Sequence, residues 1–300
     1  RGFIVGANQQ FPGNNNAGLT APEYTAINSF DAVRATLDYD PWTIDVVYAN
    51  IWGNTVQSND GVNLFGTNIG YIFDSYNAEA EAYYWYKADR AIQAANQSDN
   101  DVHTVGLRGS GDPIEDWTIS SEGALQFGNS VATDLQVNGR DRRGLGLDTA
   151  VECRYFAGRY AWKPVLTGEY IYYSGDRHAQ DLDDEAQGIR PAGSTVGTAT
   201  GWDPMYRGKF DTAYREFIGR YYATGPFPAR ARIVQSAADA SFTNQHQALL
   251  NATVAPTDSL TCTGVVAFFW LDQQISSRFS DDFVGTELDL NLTWDYTEDV

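Results

Sequence analysis

The side chains in this chain that could do chemistry are carboxylates, guanidiniums, three histidines and a few glycine turns, and their spacing points away from catalysis. Asp181, Asp183 and Asp184, with Glu185, cluster in one polar stretch, and oxygen ligands of that kind suit calcium. The EF-hand spacing with its central glycine is missing, so a solvated loop is the plainer reading. His103, His178 and His246 are far apart and form no HExxH or HxH pair. Gly144-Leu145-Gly146 has neither the third glycine nor the helix of a dinucleotide loop. Inside a strand it would bend the backbone or leave space. Arg108-Gly109-Ser110-Gly111 is no nucleophile elbow, because no GxSxG frames the serine. Carboxylates are so plentiful that a glycosidase pair could be drawn almost anywhere, and no spacing selects one. Cys153 and Cys262 are the only cysteines, which leaves no disulfide framework and no CxxC knuckle. On these residues we expect no cofactor, no metal centre and no reaction.

The charges do something else: they alternate with apolar side chains. In Phe30 to Ile51, Val33, Ala35, Leu37 and Tyr39 share one side while Ala32, Arg34, Thr36 and Asp38 share the other. After a tight Asp40-Pro41 corner, Trp42, Ile44, Val46 and Tyr48 oppose Thr43, Asp45, Val47 and Ala49. A period of two is the signature of a strand, and two such arms make a hairpin. Each arm is about ten residues long, the length a tilted strand needs to cross a bilayer. Further strands are expected at Asn63 to Phe73, Tyr76 to Ala88, Val102 to Gly109, Trp117 to Phe127, Gly144 to Phe156, Tyr160 to Tyr173, Gln245 to Val254, Leu260 to Leu271 and Val284 to Thr297. Tyr76 to Ala88 is rich in Ala and Glu, good helix formers, yet its alternation is unbroken. In the last strand Val284, Leu288, Leu290, Leu292 and Trp294 face away from Glu287, Asp289, Asn291 and Asp295.

Connection lengths discriminate further. Short links alternate with long polar ones, at Gly53 to Val62, Asp89 to Asp101, Gly128 to Arg143, Ser174 to about Asn244, and Asp272 to Phe283. An up-and-down outer-membrane barrel has this asymmetry, with tight turns at one rim and long loops at the other; a Greek-key sandwich does not need it. Tyr39, Trp42, Trp117, Tyr160, Trp162, Trp270 and Trp294 fall near strand ends, as an aromatic girdle would. The longest apolar run, Val265 to Leu271, is far short of the roughly twenty residues of a spanning helix. A net charge of −19 argues against a nucleic-acid partner. The chain opens at Arg1 without the residue succession of a signal peptide. Alternation alone leaves open a soluble or surface-attached all-β protein that holds carbohydrate on exposed Trp and Tyr.

With the strands placed, FDAVRATLDYDPWTIDVVYANI, VGLRGSG, WKPVLTGEYIYYSGD, WDPMYRGK, VAPTDSLTCTGVVAFFWLD and GTELDLNLTWDYTEDV, in this order, make the chain resemble the alginate export family of Gram-negative outer-membrane proteins. The resemblance implies a single-domain, monomeric transmembrane antiparallel β-barrel of about eighteen strands, of which residues 1–300 would hold at least eleven and lack both ends. It implies a bilayer, a polysaccharide or small polar solute, and a periplasmic rim where other export proteins are candidate partners. If the apolar faces meet lipid, the opposite faces line a channel. The inward bases would then be Arg34, Lys87, Arg108, Arg142, Arg154 and Lys163. The acids would include Asp45, Glu79, Glu81, Glu122, Asp148, Glu152, Glu169, Glu287 and Asp289. For each of these the plainer role is a salt-bridge ladder between neighbouring strands. Residues 210 to 223 are expected in a loop over or in the mouth, with Arg207, Lys209, Arg215 and Arg220 as gate charges.

Overall fold

A computed structural model describes residues 31–52, 62–89, 100–130, 140–186, 188–191, 194, 197–203, 243–274 and 281–295. The alternating runs form eleven strands: β1 (Asp31–Tyr39), β2 (Trp42–Trp52), β3 (Val62–Phe73), β4 (Ala78–Asp89), β5 (Asn100–Ile114), β6 (Trp117–Ser130), β7 (Arg140–Cys153), β8 (Val165–Tyr173), β9 (Gln245–Thr257), β10 (Leu260–Leu271) and β11 (Phe283–Trp294). They lie in one sheet in strict chain order, each antiparallel to the next, with β1 and β11 at the open edges. One short α-helix, α1 (Ala179–Ala186), follows β8. Among the described residues no helix is long and apolar enough to cross a membrane.

The connections at one rim, 40–41, 74–77, 115–116 and 258–259, are short except for 154–164, which is as long as most of those at the other rim; the expected three-residue link at Ala157 to Arg159 is therefore eleven residues. Two of the tight turns use the left-handed region, at Asn77 (φ 45°) and Asp116 (φ 68°), which short polar side chains tolerate better than branched ones.

The pairing register carries the two faces across all the strands. Val33, Tyr48, Phe65, Tyr86, His103 and Phe127 follow one another along one face, and Leu107, Gly123, Leu147 and Tyr172 continue it. That face is bare. On interior strands β5 and β6, Leu107 is 68% and Leu125 56% exposed, whereas inward Gln247 and Phe269 are fully buried. A soluble sandwich would put Leu107 in its core; a barrel wall leaves it to hydrocarbon. A positive charge at mid-wall follows as a test. Leu107→Arg should cost about 2 to 4 kcal/mol of folding free energy in vesicles, the penalty for a cation near the bilayer midplane, read from urea unfolding in the bilayer. A cost near zero would mean that this face does not meet lipid.

Several strand limits differ from the alternation pattern. β5 runs through Gly111 to Ile114, so the link before β6 is only Glu115 and Asp116. β4 starts at Ala78, because 74–76 form a 3-10 turn. β7 starts at Arg140 and ends at Cys153, and β8 starts only at Val165, so 154–164 form a turn rather than strand. Arg154 and Lys163 therefore sit exposed at the short-turn rim, where Lys163 lies 3.5 Å from Asp258, and are not part of the inward wall. A register shift at Phe269/Trp270 also turns Val284 away from the leucines and packs it against the inward cluster.

Candidate functional site

The inward face is built from residues that face each other across strands in register. One row runs Asp38, Thr43, Gly70, Glu81, Arg108, Glu122, Asp148, Ile171, Gln247 and Phe269. Arg108 reaches Glu79 and Glu81, both at 2.9 Å, so one guanidinium answers two carboxylates. Glu122, next in the row, accepts a 2.6 Å hydrogen bond from the buried Tyr83 hydroxyl. Asp148 is its register partner. At mid-height, then, Arg108 stands against Glu79, Glu81, Glu122 and Asp148, an acid-rich belt.

The other expected wall residues are on the same face. Arg34 grips Asp45 with two bonds of 2.8 and 2.9 Å near the β1 edge. Glu152 is held by Arg154 at 2.5 Å, and Glu169, Glu287 and Asp289 continue the inward positions of β8 and β11. Such pairs are the cross-strand ladder, and at exposed sites each stabilises by less than about 1 kcal/mol.

Aromatic rings lie flat on this face because glycines make room for them. A Cβ on Gly66 would sit 1.9 Å from the Trp85 ring, and one on Gly106 would sit 2.2 Å from that of Tyr83. The same device holds the feature that alternation could not reveal. β8 stops where Tyr173 pairs Gly146, and above that point residues 197–199 take over the vacated edge of β7, with Ala199 N–H donating to Asp141 and Arg143 N–H to Ala199. Arg140, buried, ties this segment down. Its guanidinium chelates Asp176 at 2.8 and 3.0 Å and also donates to the Gly197 and Thr198 carbonyls. The chain then turns inward. Trp202 rests on the Gly144-Gly146 floor, where a Cβ on Gly146 would lie 3.2 Å from its ring.

Asp203 comes next and is clamped by three strands. Gln126 on β6 holds both its backbone groups, at 2.6 and 2.7 Å. Its carboxylate lies 3.3 Å from Arg142 on β7 and 3.8 Å from Lys87 on β4. All three charges are buried, and a buried charge survives only when paired. Lys87 and Arg142 belong to strands three spacings apart, roughly 14 Å in a flat sheet, so one carboxylate joins places the sequence separates. Beneath the segment Tyr83, Ile171, Tyr173, Leu249 and Phe269 form a buried apolar cluster with its Trp202.

Other candidates are accounted for differently. His103 stacks between Tyr86 and Phe127 on the outward face, and His246 packs on Tyr172. Asp181, in α1 outside the wall, is hydrogen-bonded by His178 and ion-paired with Arg190. The bond from His178 first, then the Arg190 charge, hold its carboxyl below the usual range. The Asp184 carbonyl accepts from Ile189 and Arg190 N–H. The Asp183 side chain and the gate candidates Arg207, Lys209, Arg215 and Arg220 lie outside the described residues.

A strand-ordered antiparallel sheet, apolar outside, charged inside, with tight turns at one rim and an inward-folded segment from the longest connection, defines the β-barrel channel class. The sequence profile of the alginate export family matches residues 21–297, and the chain belongs to that family. It is an outer-membrane protein with an alginate-export or porin-type role, whose surroundings are the bilayer and whose substrate class is polysaccharide. No curated protein matches the chain.

Proposed function

We propose that the chain forms a passive channel, without chemistry of its own, in which a polysaccharide or small polar solute crosses along the charged inward face. The observation that supports this is the segment 197–203, seated on that face with Asp203 on Lys87 and Arg142. Such a segment narrows a lumen, and its bound carboxylate covers the cations that a passing polyanion would otherwise meet. Below it the acid-rich belt around Arg108 favours small cations.

Planar-bilayer conductance with a salt gradient tests the reading. The wild-type channel should prefer cations. Arg108→Gln should raise that preference roughly threefold in low salt, since one charge at about 7 Å in water is worth about 0.6 kcal/mol before screening. An unchanged reversal potential would remove Arg108 from the pore lining. A chain that stayed monodisperse in plain buffer without detergent would count against the channel altogether.

A further inference from the structure

In a chain of net charge −19, the turn 154–164 (RYFAGRYAWKP) carries Arg154, Arg159 and Lys163 and no acid. It also carries Tyr155, Tyr160 and Trp162, each between 43% and 51% exposed. The turn stands at the tight-turn rim, which in outer-membrane barrels is periplasmic. Beside it, on the lipid-facing side of β6, β7 and β8, lies an apolar cavity of about 540 Å³. Trp117, Val151, Cys153 and Leu166 line it from the strand side, and Tyr155 and Phe156 from the turn. Gly168 lines it as well, and a Cβ there would meet nothing within 4 Å, so a larger side chain has room to enter.

The three cations are not equivalent. Arg154 is taken by Glu152 and Lys163 lies near Asp258. Arg159 has no carboxylate partner among the described residues; its guanidinium lies 3.3 Å above the Tyr155 ring and donates to the Tyr155 carbonyl at 3.2 Å. A cation fixed on an aromatic ring, at the mouth of an apolar slot, at the headgroup level of a membrane, matches the two halves of an anionic lipid. We propose that this corner binds an anionic glycerophospholipid of the periplasmic leaflet, one acyl chain in the Gly168 slot and the phosphate on Arg159. The inference goes beyond the channel reading, and rests on the outward face meeting lipid with the tight turns at the periplasmic rim.

The test uses the full chain, purified in detergent, delipidated, and offered phosphatidylglycerol or phosphatidylcholine with identical acyl chains, with bound lipid counted by native mass spectrometry. The wild type should retain phosphatidylglycerol roughly fivefold better, the factor expected of one interfacial cation. Arg159→Gln should abolish that preference, lowering phosphatidylglycerol the more, so that the two lipids are retained alike. Gly168→Phe, which fills the slot, should lower retention of both lipids while keeping their ratio. Equal retention of the two lipids by the wild type, a preference that survives Arg159→Gln, lipid retention untouched by Gly168→Phe, or displacement of the lipid by glycerol phosphate alone would each overturn the assignment. Both variants lie off the inward face, so single-channel conductance should be unchanged in them; it reports folding and judges the channel reading separately.

Discussion

Asp203→Asn will open the channel and turn its selectivity toward anions. The substitution keeps the shape of the side chain and removes its charge, so Lys87 and Arg142 lose the carboxylate that both now approach. Breaking a buried pair from one side costs about 3 to 5 kcal/mol, because the remaining charge stays desolvated. Most of that belongs to Arg142 at 3.3 Å, since Lys87 at 3.8 Å is a looser partner. The protein can avoid the cost in one way: the segment 197–203 leaves the face and water enters. At about 3 kcal/mol the seated state would lose roughly a hundredfold in population relative to the released one. Conductance should therefore rise, and the reversal potential should move toward the anion value, because Lys87 and Arg142 then line the passage without the charge of Asp203 against them. Arg142→Gln in the same chain removes one of those cations and should restore part of the seated population, a coupling that a double-mutant cycle measures. Conductance and reversal potential both equal to wild type would show that the segment does not control the passage.

The two faces were legible in the sequence because a period of two depends only on local backbone geometry, which tertiary contacts do not alter. Arg34, Arg108, Glu81 and Glu122 accordingly sit on the side that alternation assigns them. Strand ends were less legible, for a physical reason. At 154–164 the residues RYFAGRYAWKP keep enough aromatic content to imitate a strand, yet turns at Tyr155–Arg159 and Ala161–Trp162 break the ladder. The Val284 position shows the other failure: a bulge inserts one residue, and everything beyond it changes side. The inward segment was out of reach altogether. Its contacts join Gln126 to Asp203 and Arg140 to Gly197, residues far apart in the chain, and no periodicity encodes such pairs. The one local trace was Gly144-Leu145-Gly146, which implied space on a strand without saying that Trp202 would fill it.

That filling sets the second large effect. Trp202 is only 4% exposed and contributes the largest ring of the inward cluster. Trp202→Ala should cost about 3 to 5 kcal/mol, the range for truncating a buried aromatic, because the glycine floor cannot close up over the space left behind. The loss is of packing, not charge. The released segment still carries the Asp203 carboxylate that Gln126 holds when it is seated, so selectivity should shift toward anions by less than in Asp203→Asn, while heat resistance in a folded-versus-unfolded gel assay falls and conductance becomes noisier. Gly146→Val approaches the same contact from below. A Cβ there, 3.2 Å from the ring, needs the indole to give by a few tenths of an ångström, and the γ-methyls ask for more. It should shift stability and conductance in the same direction as Trp202→Ala, by less. If either substitution instead changed the reversal potential as strongly as Asp203→Asn, the tryptophan would be positioning the charges rather than filling a space, and the division between packing and charge drawn for this segment would fail.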